Sequence, residues 1–66
     1  MSKTQPHKWV LLVDEMYYFE GFNAYSKKPQ WAYSERRGRL YPYNEWQMDK
    51  TRLEEMGYVV KTVSVL

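Results

Sequence analysis

Between Asn44 and Val65 the chain carries a helix with both ends written into it and, directly behind, a run of β-branched residues. That pair limits the folds open to everything else. Asn44 is a good N-cap, Gln47 stands at the third position of a capping box, and Tyr43 and Met48 are spaced to close a hydrophobic staple. Gly57 takes the left-handed conformation cheaply and ends the helix, after which Tyr58 folds back on Leu53 in a Schellman motif. The spacing therefore predicts a helix over about Asn44 to Met56. Trp46, Leu53 and Met56 share one stripe with Lys50, whose stem can cover a ring. So few anchors do not hold a short helix in isolation, and a sheet must receive them. Glu54 and Glu55 oppose the helix dipole in the last turn, with no structural reason visible in the sequence. Tyr58 to Val65 is strand chemistry.

At the other end, Trp9-Val10-Leu11-Leu12-Val13 is a continuous apolar run suited to a strand covered on both faces. It is expected at the centre, with the C-terminal strand beside it. Asp14 and Glu15 interrupt the run and read as a bend or bulge in a strand continuing to Glu20. Alternation then puts Trp9, Leu11, Val13, Tyr17 and Phe19 on one face, and Val10, Leu12, Asp14, Met16, Tyr18 and Glu20 on the other. Gly21-Phe22-Asn23 reads as a hairpin connection into Ala24-Tyr25-Ser26, and Lys27-Lys28-Pro29 as a break or an exposed edge. Gln30 to Glu35 alternates as a further strand piece, Arg36-Arg37-Gly38-Arg39 is a turn, and Leu40 to Tyr43 is extended because Pro42 keeps Tyr41 out of the helical region. The expected class is α+β: a small three- to four-stranded, mainly antiparallel sheet with one helix on one face, in the order β-β-(β)-α-β. Residues 8–66 are expected to form one domain behind a loose tail, Met1 to His7.

A chain of 66 residues buries only about 60% of its unfolded surface, which leaves a thin core. There is no cysteine, the polar start lacks a signal peptide's apolar run, and no stretch approaches the roughly 20 apolar residues that span a bilayer. A soluble cytoplasmic protein with no membrane partner is the expectation. A net charge of +2 is small for a dedicated duplex-DNA binder and excludes the strongly acidic surface of a nucleic-acid mimic.

The aromatic content separates this chain from an ordinary small domain. Nine of its twelve rings fall between Tyr17 and Tyr43, where Lys27, Lys28, Arg36, Arg37 and Arg39 meet only Glu20 and Glu35, leaving that segment at +3. A core this slight is not expected to absorb every ring, and surface tyrosine, tryptophan and arginine together make the composition of a contact site. The candidate binding residues are Lys27, Lys28, Trp31, Tyr33, Arg36, Arg37, Arg39 and Tyr41.

Catalytic readings lack support. His7, the one histidine, has no neighbour spaced to orient it, and Asp14 and Glu15 on one strand would point to opposite faces. No metal cluster or phosphate-binding loop is spelled out, so no cofactor, metal or enzymatic activity is expected. Two binding readings remain. In the first, the rings and arginines dock on another protein, tyrosine and tryptophan supplying rigid contact area and arginine forked hydrogen bonds. In the second, the rings around Arg36, Arg37 and Arg39 stack the bases of a single-stranded nucleic acid. In size, lack of cysteine and element order the chain resembles small phage-encoded proteins that bind and inhibit host enzymes, which implies a protein partner of that kind. An open sheet edge also leaves room for a homodimer.

Overall fold

Strand β1 (Lys8–Val13) is the axis of a five-stranded antiparallel sheet, and its pairings show how the other strands surround it. The structure, a computed structural model, describes residues 8–65, so the expected tail Met1 to His7 lies outside the described residues. The remaining elements are β2 (Tyr17–Phe22), β3 (Pro29–Ala32), a 3-10 turn (Glu35–Arg37), β4 (Tyr41–Pro42), helix α1 (Gln47–Glu55) and β5 (Val60–Ser64). The class is α+β, with one short strand more than expected, the two-residue β4. Leu12 faces Tyr18 on one edge and Lys61 on the other, and Trp9 faces Tyr41 and Ser64 in the same way. The C-terminal strand thus occupies one whole edge of β1, as its composition suggested, while β2 and β4 share the other. They splay apart, and the chain before β4 fills the gap, the Arg39 N–H donating to the Phe19 carbonyl at 2.8 Å.

Asp14 and Glu15 form no bulge. They are the centre of a tight hairpin turn, φ 53° and 55°, closed by the Met16 N–H on the Val13 carbonyl at 3.0 Å. Positive φ at both central positions gives the twist that joins antiparallel strands. The loop is tied to β5: the Asp14 N–H donates to the Val59 carbonyl at 2.8 Å, Asp14 Oδ1 accepts the Val59 N–H at 3.0 Å, and Lys61 Nζ lies 2.6 Å from Glu15 Oε2. Because Val13 pairs directly with Tyr17, the face assignment from alternation survives the change.

Gly21 and Phe22 likewise belong to β2 rather than to a connection. The register against β3 shifts between Phe19 and Gly21, where Gly21 has φ 136°. That extra residue places Phe19 and Phe22 on the same side despite their odd spacing, with ring centroids 4.8 Å apart. The turn lies later. Asn23 Oδ1 accepts the N–H groups of Tyr25 and Ser26 at 2.8 and 2.9 Å, so Ala24-Tyr25-Ser26 is loop and not strand. The alternating piece at Gln30 shortens to β3, an outer strand opened by Pro29.

The helix starts three residues later than the capping signal. Asn44 makes no cap: Tyr43 adopts φ 53°, and two backbone bonds, Glu45 N–H to the Pro42 carbonyl and Gln47 N–H to the Asn44 carbonyl, take the chain through a turn first. Met48 stays 82% exposed and staples nothing. The C-terminal signal holds. With Gly57 at φ 102°, Tyr58 N–H reaches the Leu53 carbonyl at 3.2 Å and Gly57 N–H the Glu54 carbonyl at 3.0 Å. Glu54 also pairs with Lys50 at 2.7 Å, which gives one of the two acidic residues in that turn a local partner.

Leu53 is the helix's single buried side chain, and it meets Leu11, Val13, Phe19, Tyr41 and Val60, with Phe22, Trp31, Trp46 and Tyr58 packed around them. Full burial of such a leucine stabilises by about 1.5–3 kcal/mol, so the sheet supplies what the helix's thin stripe lacks. Met56 does not join the stripe; Arg52, over the Phe22 ring at 4.9 Å, does. Val10 and Ala32 are buried on the opposite face.

Candidate functional site

The basic segment folds as a 3-10 turn laid against the sheet face away from the helix. Ser34 Oγ accepts the Arg36 N–H at 3.3 Å and the Gly38 N–H donates to the Glu35 carbonyl at 3.1 Å. Close approach at Gly38 is what seats it: a Cβ there would lie 3.1 Å from the Tyr18 Cβ and 3.4 Å from a Val10 methyl. Those contacts also explain how Val10 becomes fully buried on the side away from α1.

The guanidinium groups find few partners within the chain. Arg37 Nε stands 3.9 Å from Glu20 Oε2, a long and exposed pair. Among the described residues Arg36 makes no ion pair. Arg39 extends across Gly21, its Nη1 3.4 Å from where a Cβ would sit, and lies 5.5 Å over the Tyr41 ring. By contrast Lys50 and Lys61 are each engaged by a carboxylate at 2.7 and 2.6 Å.

The rings divide between core and surface. Trp31 is half-buried at the centre of a chain of ring contacts, edge-on to Phe19 at 6.0 Å and to Tyr58 at 5.1 Å, and tilted by 34° against Tyr17 at 5.9 Å. Tyr33 continues that chain outward, 5.4 Å from Tyr17 and 82% exposed. Tyr41 is a core residue, 4% exposed, whose hydroxyl donates to Asp49 Oδ2 at 2.6 Å. Burial, then the hydrogen bond to Asp49 and its negative charge, push the Tyr41 phenol well above the ordinary tyrosine value, and Arg39 offsets this only in part.

The eight candidate residues therefore do not form one patch. Arg36 and Arg37 share the turn, and Tyr33 sits at the sheet margin from which the chain crosses to it. Arg39 lies farther along β2. Lys27 and Lys28 are exposed at the opposite end of β3, beside Tyr25, which is 95% exposed and which the ring count alone did not single out. Trp31 and Tyr41 face the helix side. Sequence reasoning also missed the role of Gly38, because a glycine needed for close packing rather than for φ leaves no local signature.

An open hollow of about 500 Å³ runs along α1, lined by Gln47, Met48, Asp49, Thr51, Arg52 and Glu55. Among the described residues no three His, Cys, Asp or Glu side chains gather as metal ligands, and no helix is long and apolar enough to cross a membrane. No protein-family model, curated protein or solved structure matches the chain.

Proposed function

We propose that the chain is a small non-enzymatic module that docks on another protein through Tyr33, Arg36 and Arg37. The observation that carries this reading is Tyr33: its ring is 82% exposed yet held edge-on by Tyr17, at the outer end of ring contacts rooted in the core. A ring already fixed loses little freedom on binding, and neighbouring arginines without close carboxylate partners add hydrogen bonds that a partner's acidic groups can take up. The resemblance in layout to small phage-encoded inhibitors makes a host enzyme the partner class. The single-stranded nucleic-acid reading is less favoured, because a stacking platform needs several open ring faces beside its cations. Trp31 and Tyr41 turn theirs inward.

The test is retention of a partner from nuclease-treated lysate by tagged chains. Wild type and Tyr25→Ala should retain the same protein, and Tyr33→Ala and the Arg36→Ala/Arg37→Ala pair should release it with circular dichroism unchanged. Retention indifferent to those substitutions removes this surface. Binding of a single-stranded oligonucleotide that weakens steeply with salt and depends on the arginines gives it to nucleic acid instead.

A further inference from the structure

The register of β5 shows which of its backbone groups are free. Val65 N–H donates to the Lys8 carbonyl and Asp14 N–H to the Val59 carbonyl, both at 2.8 Å, so the hydrogen-bonded pairs alternate between these two ends. Val59, Lys61, Val63 and Val65 turn their backbone groups toward β1. Val60, Thr62 and Ser64 turn theirs outward, and Val60, at 6% exposed, is covered. Thr62 and Ser64 remain as an open edge, since among the described residues β5 pairs with β1 alone.

The sheet's other outer strands are guarded: β4 is only two residues long and ends in Pro42. Proline opens β3, which is four residues long and lies beside a bulge. β5 has no proline, glycine or bulge, and the one lysine that would protect it is neutralised by Glu15 at 2.6 Å.

We propose that β5 is a self-association edge, on which a second copy of this chain pairs antiparallel about a two-fold axis at Val63. In that register Thr62 of each copy faces Ser64 of the other, and the two pairs exchange four main-chain hydrogen bonds through the open groups. A second copy fits because the edge is complementary to itself. Valine meets valine on the axis, hydroxyl meets hydroxyl beside it, and Lys61 faces Val65, so no like charges stand opposed. Centring on Thr62 instead would require the covered Val60. The axis stands perpendicular to the sheet, so both arginine turns face the same way and the dimer presents the docking surface twice.

The chain has no cysteine, so one introduced thiol reports the register cleanly. Val63→Cys places two thiols across a non-hydrogen-bonded pair about 4.5 Å apart at Cα, within disulfide range, and should cross-link under mild oxidation. Lys61→Cys should not. Sedimentation equilibrium should show monomer and dimer exchanging at concentrations up to about 1 mM, the range of a small interface. Thr62→Pro removes only an outward N–H and should abolish the dimer with circular dichroism unchanged; Tyr33→Ala should leave association intact. Should Thr62→Pro not fold, exchange of the wild-type Thr62 and Ser64 amides must slow as concentration rises. A wild-type chain monomeric throughout, a dimer surviving Thr62→Pro, a dimer whose Val63→Cys form does not cross-link, or amides indifferent to concentration would each overturn the proposal.

Discussion

The two faces of this sheet are closed by different means. On one, α1 brings Leu53 against Leu11, Phe19 and Val60 and the rings gather in edge-on contact, so closure comes from apolar area. On the other there is no helix among the described residues, and Val10 is covered because a three-residue turn can approach at Gly38. The first arrangement has volume to lose. The second depends on the absence of one methyl group, and it leaves the cations of its cover pointing into solvent. Packing thus dominates one face and the arginines the other, with Tyr33 at the margin on Tyr17, and four substitutions ordered by size test that division.

Phe19→Ala should cost most, about 3–5 kcal/mol in chemical denaturation, because it empties the centre of the ring cluster on the helix side. Gly38→Ala comes next, at about 1–3 kcal/mol. Its backbone, φ −68° and ψ 153°, suits alanine, so the whole loss should come from crowding against Tyr18 and Val10. A neutral outcome would mean the turn does not rest on the sheet as closely as described.

Tyr41→Phe should cost about 1–2 kcal/mol at neutral pH by removing the hydrogen bond to Asp49. It also carries a signature in pH. The folded state holds the phenol neutral to higher pH than the unfolded chain does. That contribution is fully present below the ordinary tyrosine value of about 10 and is lost as pH rises above it. Wild-type stability should fall with alkalinity there, and Tyr41→Phe should flatten that part of the curve. Tyr33→Ala should change stability by less than about 1 kcal/mol, the worth of an edge contact with Tyr17, while removing partner retention. A large loss of stability would make Tyr33 a packing residue rather than a presented one.

Signals carried by neighbouring residues were legible where backbone conformation and packing agreed. Gly57 and Tyr58 ended the helix as read, and the apolar run at β1 took both faces and the C-terminal strand. Asn44 failed because a cap acts only if the chain enters the helix there, and positive φ at Tyr43 routes it through another turn. Asp14 and Glu15 were misread because neither is glycine or asparagine. Their conformation is held from outside, by Val59 and Lys61 some 45 residues away. The candidate site was legible as a composition and not as a surface, since alternation says which side of a strand a ring takes but not whether that side is covered.

By itself the sequence determined the elements whose causes lie within a few residues: the α+β order, the helix's end at Gly57, the central strand and the two faces of β1 and β2. Tertiary structure alone decided which rings stay outside. Trp31 and Tyr41 were drawn in because Leu53, Tyr58 and Asp49 arrive over them from distant parts of the chain, and Tyr33 was left at the margin because, among the described residues, the Tyr17 ring is its one ring contact. Exposure is a property of what comes to lie on a residue, and that depends on contacts between segments far apart in sequence.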